Sequence, residues 1–113
     1  MNKSRRKEIN LICKRLYDIQ EKMQNNNICK DDLETELDDI YSDIEFVHGD
    51  EEYYMDNIPE NMQGGYKYAA AEEACDNLEN AMDSIGDAIS CIADKEQCKK
   101  AIDDVIRYLY AAV

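Results

Sequence analysis

AAAEEACDNLENAMDSIGDAISCI, residues 69–92, repeats its apolar side chains with a helical step. Ala74, Leu78, Ala81, Ile85, Ala88 and Ile92 advance by four and three residues, so they share one stripe of an α-helix. Small and large residues alternate along that stripe, which lets a neighbouring helix come close. NLENAMD and SIGDAIS, residues 77–90, are near-copies at heptad spacing, as expected of coiled-coil-like packing rather than of a longer repeat. The spacing predicts a helix over 69–93 whose narrow seam must be covered by other helices.

Three further segments can cover it. Ile9, Ile12, Leu16, Ile19 and Met23 form a stripe over 4–25, with Ser4 as a cap and Asn25, Asn26 and Asn27 as a stop. Leu33, Leu37, Ile40, Ile44 and Val47 form another over 32–48, capped by Asp31 or Asp32 and ended by Gly49. Asp94 caps a last helix over 95–112 that carries Cys98, Ile102, Val105, Leu109 and Ala112. No segment alternates with the period of two that a half-buried strand requires. The expected fold is all-α: one domain, 1–113, built as an antiparallel bundle or as coiled-coil-like hairpins of about four helices. Its expected core contains Ile12, Leu16, Leu37, Ile40, Ile44, Leu78, Ile85, Ile92, Ile102 and Val105. Such narrow seams are also compatible with a homodimer.

Between the second and third stripes, DEEYYMDNIPENMQGGYKY (50–68) holds the single Pro and two adjacent Gly, yet it is rich in Tyr. A floppy linker has little use for those rings, so an ordered hinge is expected. Asn57, Pro59, Glu60, Gln63 and Tyr66 should form it, with Asn57, Glu60 and Gln63 hydrogen-bonding backbone at the neighbouring helix ends.

The 113 residues carry a net charge of −13, and that charge is segmental. Residues 1–30 have eight basic and three acidic side chains, whereas residues 31–94 have twenty acids against Lys67 alone. DDLETELDDIYSDIEFVHGDEEYYMD, residues 31–56, holds twelve Asp and Glu with no Lys or Arg. Acids at a helix start are favoured by its dipole. Later ones are not, and like charges four apart cost roughly 0.2–0.5 kcal/mol per pair. Helix stability therefore does not account for the run, and a basic partner surface does. Asp38, Asp39, Asp43, Glu45, Glu51 and Glu52 are the expected contacts, with Tyr53 and Tyr54 as compact anchors beside them. Acids selected only for solubility are the plainer explanation. The basic first segment should be drawn to the acidic second or third one.

Catalytic and metal motifs are weak. Glu45-Phe-Val-His48 has the Glu-x-x-His form of di-iron bundles, but His48 is the single histidine, and it is expected instead to meet carbonyls at a helix C-terminus. No EF-hand template is satisfied. Glu36-Leu-Asp-Asp39 and Glu73-Ala-Cys-Asp76 approximate the Mg²⁺-binding pairs of all-α nucleotide pyrophosphatases, without the cations that would position phosphate. No catalytic residue, metal ligand or cofactor is therefore expected. Direct nucleic-acid binding is disfavoured by the charge. Five cysteines with no CxxC pair suit buried thiols. No apolar run approaches the roughly 20 residues of a membrane span. The basic start also lacks the apolar core of a signal peptide. A cytoplasmic protein is expected.

Residues 50–85, DEEYYMDNIPENMQGGYKYAAAEEACDNLENAMDSI, resemble a segment of small acidic helical proteins encoded by phages and prophages of Gram-positive bacteria. The shared elements are a D-E-E run, a D-N-[I/L]-P-E-x-[L/M]-Q connector and an acidic helix rich in Ala, Leu and Ile. Gly64-Gly65 departs from the Gly-Ser or Tyr-Ser expected after the Gln. The resemblance covers about a third of the chain and carries no assigned activity. It implies a phage context within a bacterial host cell. In that context the expected function is a non-enzymatic inhibitor that mimics nucleic acid on a basic defence protein, such as a CRISPR nuclease. The alternative is a self-assembling helical scaffold.

Overall fold

Asn2 starts the first helix: its Oδ1 accepts the Arg5 N–H at 2.8 Å, and Lys3–Gln24 (α1) follows. Asn26 ends it with φ 55°, where a short polar side chain tolerates the left-handed region. The Asn27 N–H then reaches the Lys22 carbonyl at 2.8 Å and the Asn26 N–H reaches Met23 at 3.2 Å, the paired bonds of a Schellman stop. Cys29, rather than Asp31 or Asp32, precedes the second helix, Lys30–Asp56 (α2), and its Sγ accepts the Asp32 N–H at 3.5 Å. Tyr66–Ser90 (α3) and Lys95–Ala112 (α4) complete the set, and Asp94 caps α4 as expected, accepting from the Gln97 N–H at 3.2 Å. The computed structural model describes residues 1–113 and contains no strand.

The chain is all-α. Each helix packs on the one before and after it, and α4 closes back on α1, giving an up-down-up-down bundle of 53 × 22 × 18 Å. α3 approaches both neighbours most closely, since Ala71, Ala74, Ala81, Ser84 and Ala88 keep its buried side small. Nine of the ten expected core residues are buried, whereas Ile92, beyond the end of α3, only packs against the core from its edge.

Two boundaries differ from the sequence expectation. α2 does not stop at Gly49 but continues about two turns further, to Asp56, with Glu51 at the inward position four residues after Val47. α3 begins at Tyr66, not at Ala69, so the connector shrinks to 57–65. Arg5 meets Glu51 near the start of α1, and Asn77 reaches the Ala111 carbonyl near the end of α4. The last turn of α2 and the first turns of α3 therefore project past their neighbours as a two-helix end. Ala71, Ala74 and Cys75 are buried there outside the main core cluster.

Leu78 is fully buried within the main cluster. Leu78→Ala should cost about 3–4 kcal/mol, the transfer free energy plus the cavity left behind, read as a lower urea midpoint at an unchanged slope. A loss below about 1 kcal/mol would contradict the packing described.

Candidate functional site

The basic α1 neutralises one flank of α2. Arg15 pairs with Asp43, Lys22 with Glu36 at 3.7 Å, and Arg5 Nε donates to Glu51 Oε2 at 2.6 Å. The first two pairs are exposed and add little stability. The third is different, since Glu51 is fully buried. Its other oxygen, Oε1, has no hydrogen-bond partner; the Met1 ammonium stands 3.6 Å away, close enough for charge pairing only. The Arg5 guanidinium also lies 5.3 Å from the Tyr54 ring.

The opposite flank of α2 has no such partners. Asp31, Asp38, Glu45 and Glu52 recur every seven residues and are exposed, which spaces them about 10.5 Å apart along one ridge. Glu72, Asp76, Glu79, Asp83 and Asp87 form a second exposed row on α3, stepping by four, three, four and four. His48 Nε2 lies 3.1 Å from Glu79 Oε1 across the α2–α3 seam, so the two rows flank the same groove. Apart from this His48–Glu79 contact, none of these carboxylates has an ion-pair partner. The result is one acidic face, built by two helices.

The expected contact residues divide between these surfaces. Asp38, Glu45 and Glu52 lie on the acidic face, whereas Asp39 and Asp43 lie toward α1, where Asp43 already has Arg15. Glu51 must be corrected: it is buried beneath Arg5 and offers a partner nothing. Tyr53 is 73% exposed, and Tyr54 is less so. The α3 row was not singled out from sequence, although its spacing beside the Leu78 stripe would have revealed it.

The connector is hydrogen-bonded. Pro59 leads into a 3₁₀ turn, Glu60–Met62, and the Gly65 N–H bonds to the Met62 carbonyl at 3.1 Å. A side chain at Gly65 would bring a Cβ within 3.2 Å of that same carbonyl, so the close approach favours glycine. Asn57 Nδ2 donates to the Tyr53 carbonyl at 2.7 Å and Gln63 Nε2 to the Ile58 carbonyl at 3.4 Å, but the Glu60 side chain makes no such bond. Tyr54, Ile58, Met62 and Tyr66 line a concavity of about 520 Å³ at this end of the molecule.

His48 also requires correction. It lies inside α2, half-buried against α3, and not at a helix end. Its ring and the carboxylates of Glu52 and Glu79 place their ligand atoms within 4.8 Å of one another. By the same register Asp76 stands opposite Glu51, so Glu36 and Asp39 lie roughly 20 Å along the bundle from Glu73 and Asp76. The two pyrophosphatase-like pairs do not meet. Burial pushes the Cys75 thiol up to about 12, helped by Glu51, Glu52, Glu79 and Asp76, and burial pushes Cys13 up to about 11. Cys13 and Cys75 therefore favour the folded state below the ordinary thiol range, and this contribution is lost as pH rises through about 11 to 12. At pH 8 a thiol reagent should label exposed Cys29 first, with Cys13, Cys75 and Cys98 reacting only on unfolding. Rapid native labelling of Cys13, Cys75 and Cys98 would contradict their burial.

Compared with protein-family models, curated proteins and solved structures, the chain finds no match. No helix is long and apolar enough to cross a membrane.

Proposed function

We propose that the protein is a non-enzymatic binding protein whose α2–α3 face occupies a basic, nucleic-acid-binding surface of another protein. The observation that carries this reading is the pairing of two uncompensated acidic rows on rigid, adjacent helices. Acids needed to dock α1 have been satisfied separately, by Arg5, Arg15 and Lys22. What is left has no internal use, costs like-charge repulsion along each helix, and matches in sign and rigidity a nucleic-acid backbone. Exposed Tyr53 and Tyr66 at the projecting end supply apolar contact beside the charge. In the phage setting that the resemblance implies, the partner is a bacterial defence effector such as a CRISPR nuclease, met in the host cytoplasm.

The test is capture of partners from bacterial lysate, followed by competition. A captured protein should bind nucleic acid, release it on addition of this chain, and dissociate at high salt, since the screening length falls from about 10 Å at 0.1 M to 3 Å at 1 M. Partners that bind equally well at both salt concentrations and keep their nucleic acid would overturn the reading.

A further inference from the structure

The concavity at the connector differs in charge from the helices on either side of it. Residues 31–94 hold twenty Asp and Glu, yet none of the ten residues lining the concavity is acidic. Asp56 and Glu60 belong to the same stretch of chain and do not line it. Lys67, the single cation of residues 31–94, does. A lysine serving only to offset those acids would be paired with one of them. Lys67 has no ion pair.

Apolar and polar groups are separated within the concavity. Tyr54, Ile58, Pro59, Met62 and Tyr66 supply apolar wall, and the volume of about 520 Å³ falls within the roughly 300–1,000 Å³ of small-molecule sites. Lys67 and Tyr66 open α3, whose cap residue, Gly65, has no side chain to bond the first turn. The N–H groups of Tyr66, Lys67 and Tyr68 therefore have no acceptor within the chain, and they stand at the positive end of a 25-residue helix. Asn61 adds an amide. Gly64 has no positive φ, and a Cβ there would meet nothing within 4 Å, so packing does not ask for glycine. Its bareness leaves the backbone open to a ligand.

We infer that this concavity binds a small aromatic carboxylate. The ring system lies against Tyr54, Ile58, Met62 and Tyr66, where offset or edge-on contact with the tyrosines favours an aromatic body. The carboxylate meets the Lys67 ammonium and the free N–H groups of α3. One ammonium matches one negative charge, whereas a phosphate ester carrying two would be repelled by the acids beyond the rim. This site is separate from the acidic face, and its test needs no partner protein.

The isotope-labelled full chain is titrated with naphthoate, and with naphthamide as its neutral counterpart, while backbone amide resonances are followed by NMR. Naphthoate should saturate one site, with the shifts concentrated in residues 57–68. Naphthamide should bind about 10-fold more weakly, the loss of one charge-assisted contact. Lys67→Met should reduce naphthoate to the level of naphthamide and leave naphthamide unchanged. Lys100→Met, the same loss of charge at an exposed position on α4, should alter neither. Tyr66→Ala removes a wall residue that is 79% exposed, so it should weaken both ligands without unfolding the chain. Circular dichroism checks that each variant is folded. The inference is overturned if naphthoate does not saturate, if its shifts scatter over the molecule, if naphthamide binds equally well, or if Lys67→Met behaves like Lys100→Met.

Discussion

Arg5→Met should lower the unfolding free energy by about 3 kcal/mol, because it strands the Glu51 carboxylate in the interior. Glu51 is fully buried and Arg5 is 13% exposed, so water cannot easily replace the guanidinium. For a chain of this size the loss corresponds to a fall of roughly 10–15 °C in Tm. The double variant Arg5→Met/Glu51→Met should recover most of that loss, since two apolar side chains of similar volume remove the charge and its partner together. Denaturant melts of the two variants separate the possibilities. If the single variant loses less than 1 kcal/mol, Glu51 is solvated in solution and the buried pair does not hold α1 to α2.

The second large effect concerns association. Converting Asp38, Glu45, Asp76 and Asp83 to Asn or Gln should weaken binding to a captured basic partner by about 100-fold at low salt, equivalent to roughly 3 kcal/mol. Much of the loss should appear as a slower association rate, because the remote carboxylates steer encounter before contact is made. None of the four has an internal ion-pair partner, so the variant should fold at least as well as the parent. Surface plasmon resonance at two ionic strengths measures both quantities. A folded variant with the parent's affinity and salt dependence would assign the acidic face to solubility alone.

The helices were legible because their stripes are regular. Ile9 to Met23, Leu33 to Val47 and Leu78 to Ala88 fall on buried faces as their spacing requires. Ends were harder to read. Gly49 looks like a stop, but a glycine inside a helix costs only about 1 kcal/mol. Packing by the turns after it outweighs that cost. Asn2 rather than Ser4 caps α1, so Arg5, which reaches Glu51, lies within the first turn of the helix. Composition predicted a basic α1 against an acidic neighbour, yet it could not say which acids would be consumed. Only the register separates Asp43 and Glu51, which serve α1, from Glu45 and Glu52, which do not. His48 was misread for the same reason: its role depends on Glu79, thirty-one residues away, and not on its neighbours in sequence.

Helix order has a kinetic consequence. α1–α2, α2–α3 and α3–α4 are all hairpins between consecutive helices, so most contacts close short loops. The one non-local seam is α1–α4, fastened by Lys99 on Gln24 and Lys95 on Asn26. Chains with so local a contact pattern fold in microseconds to milliseconds. Such speed leaves little time for the exposed helix stripes to find a second copy, and newly made chains can collapse individually even at high concentration.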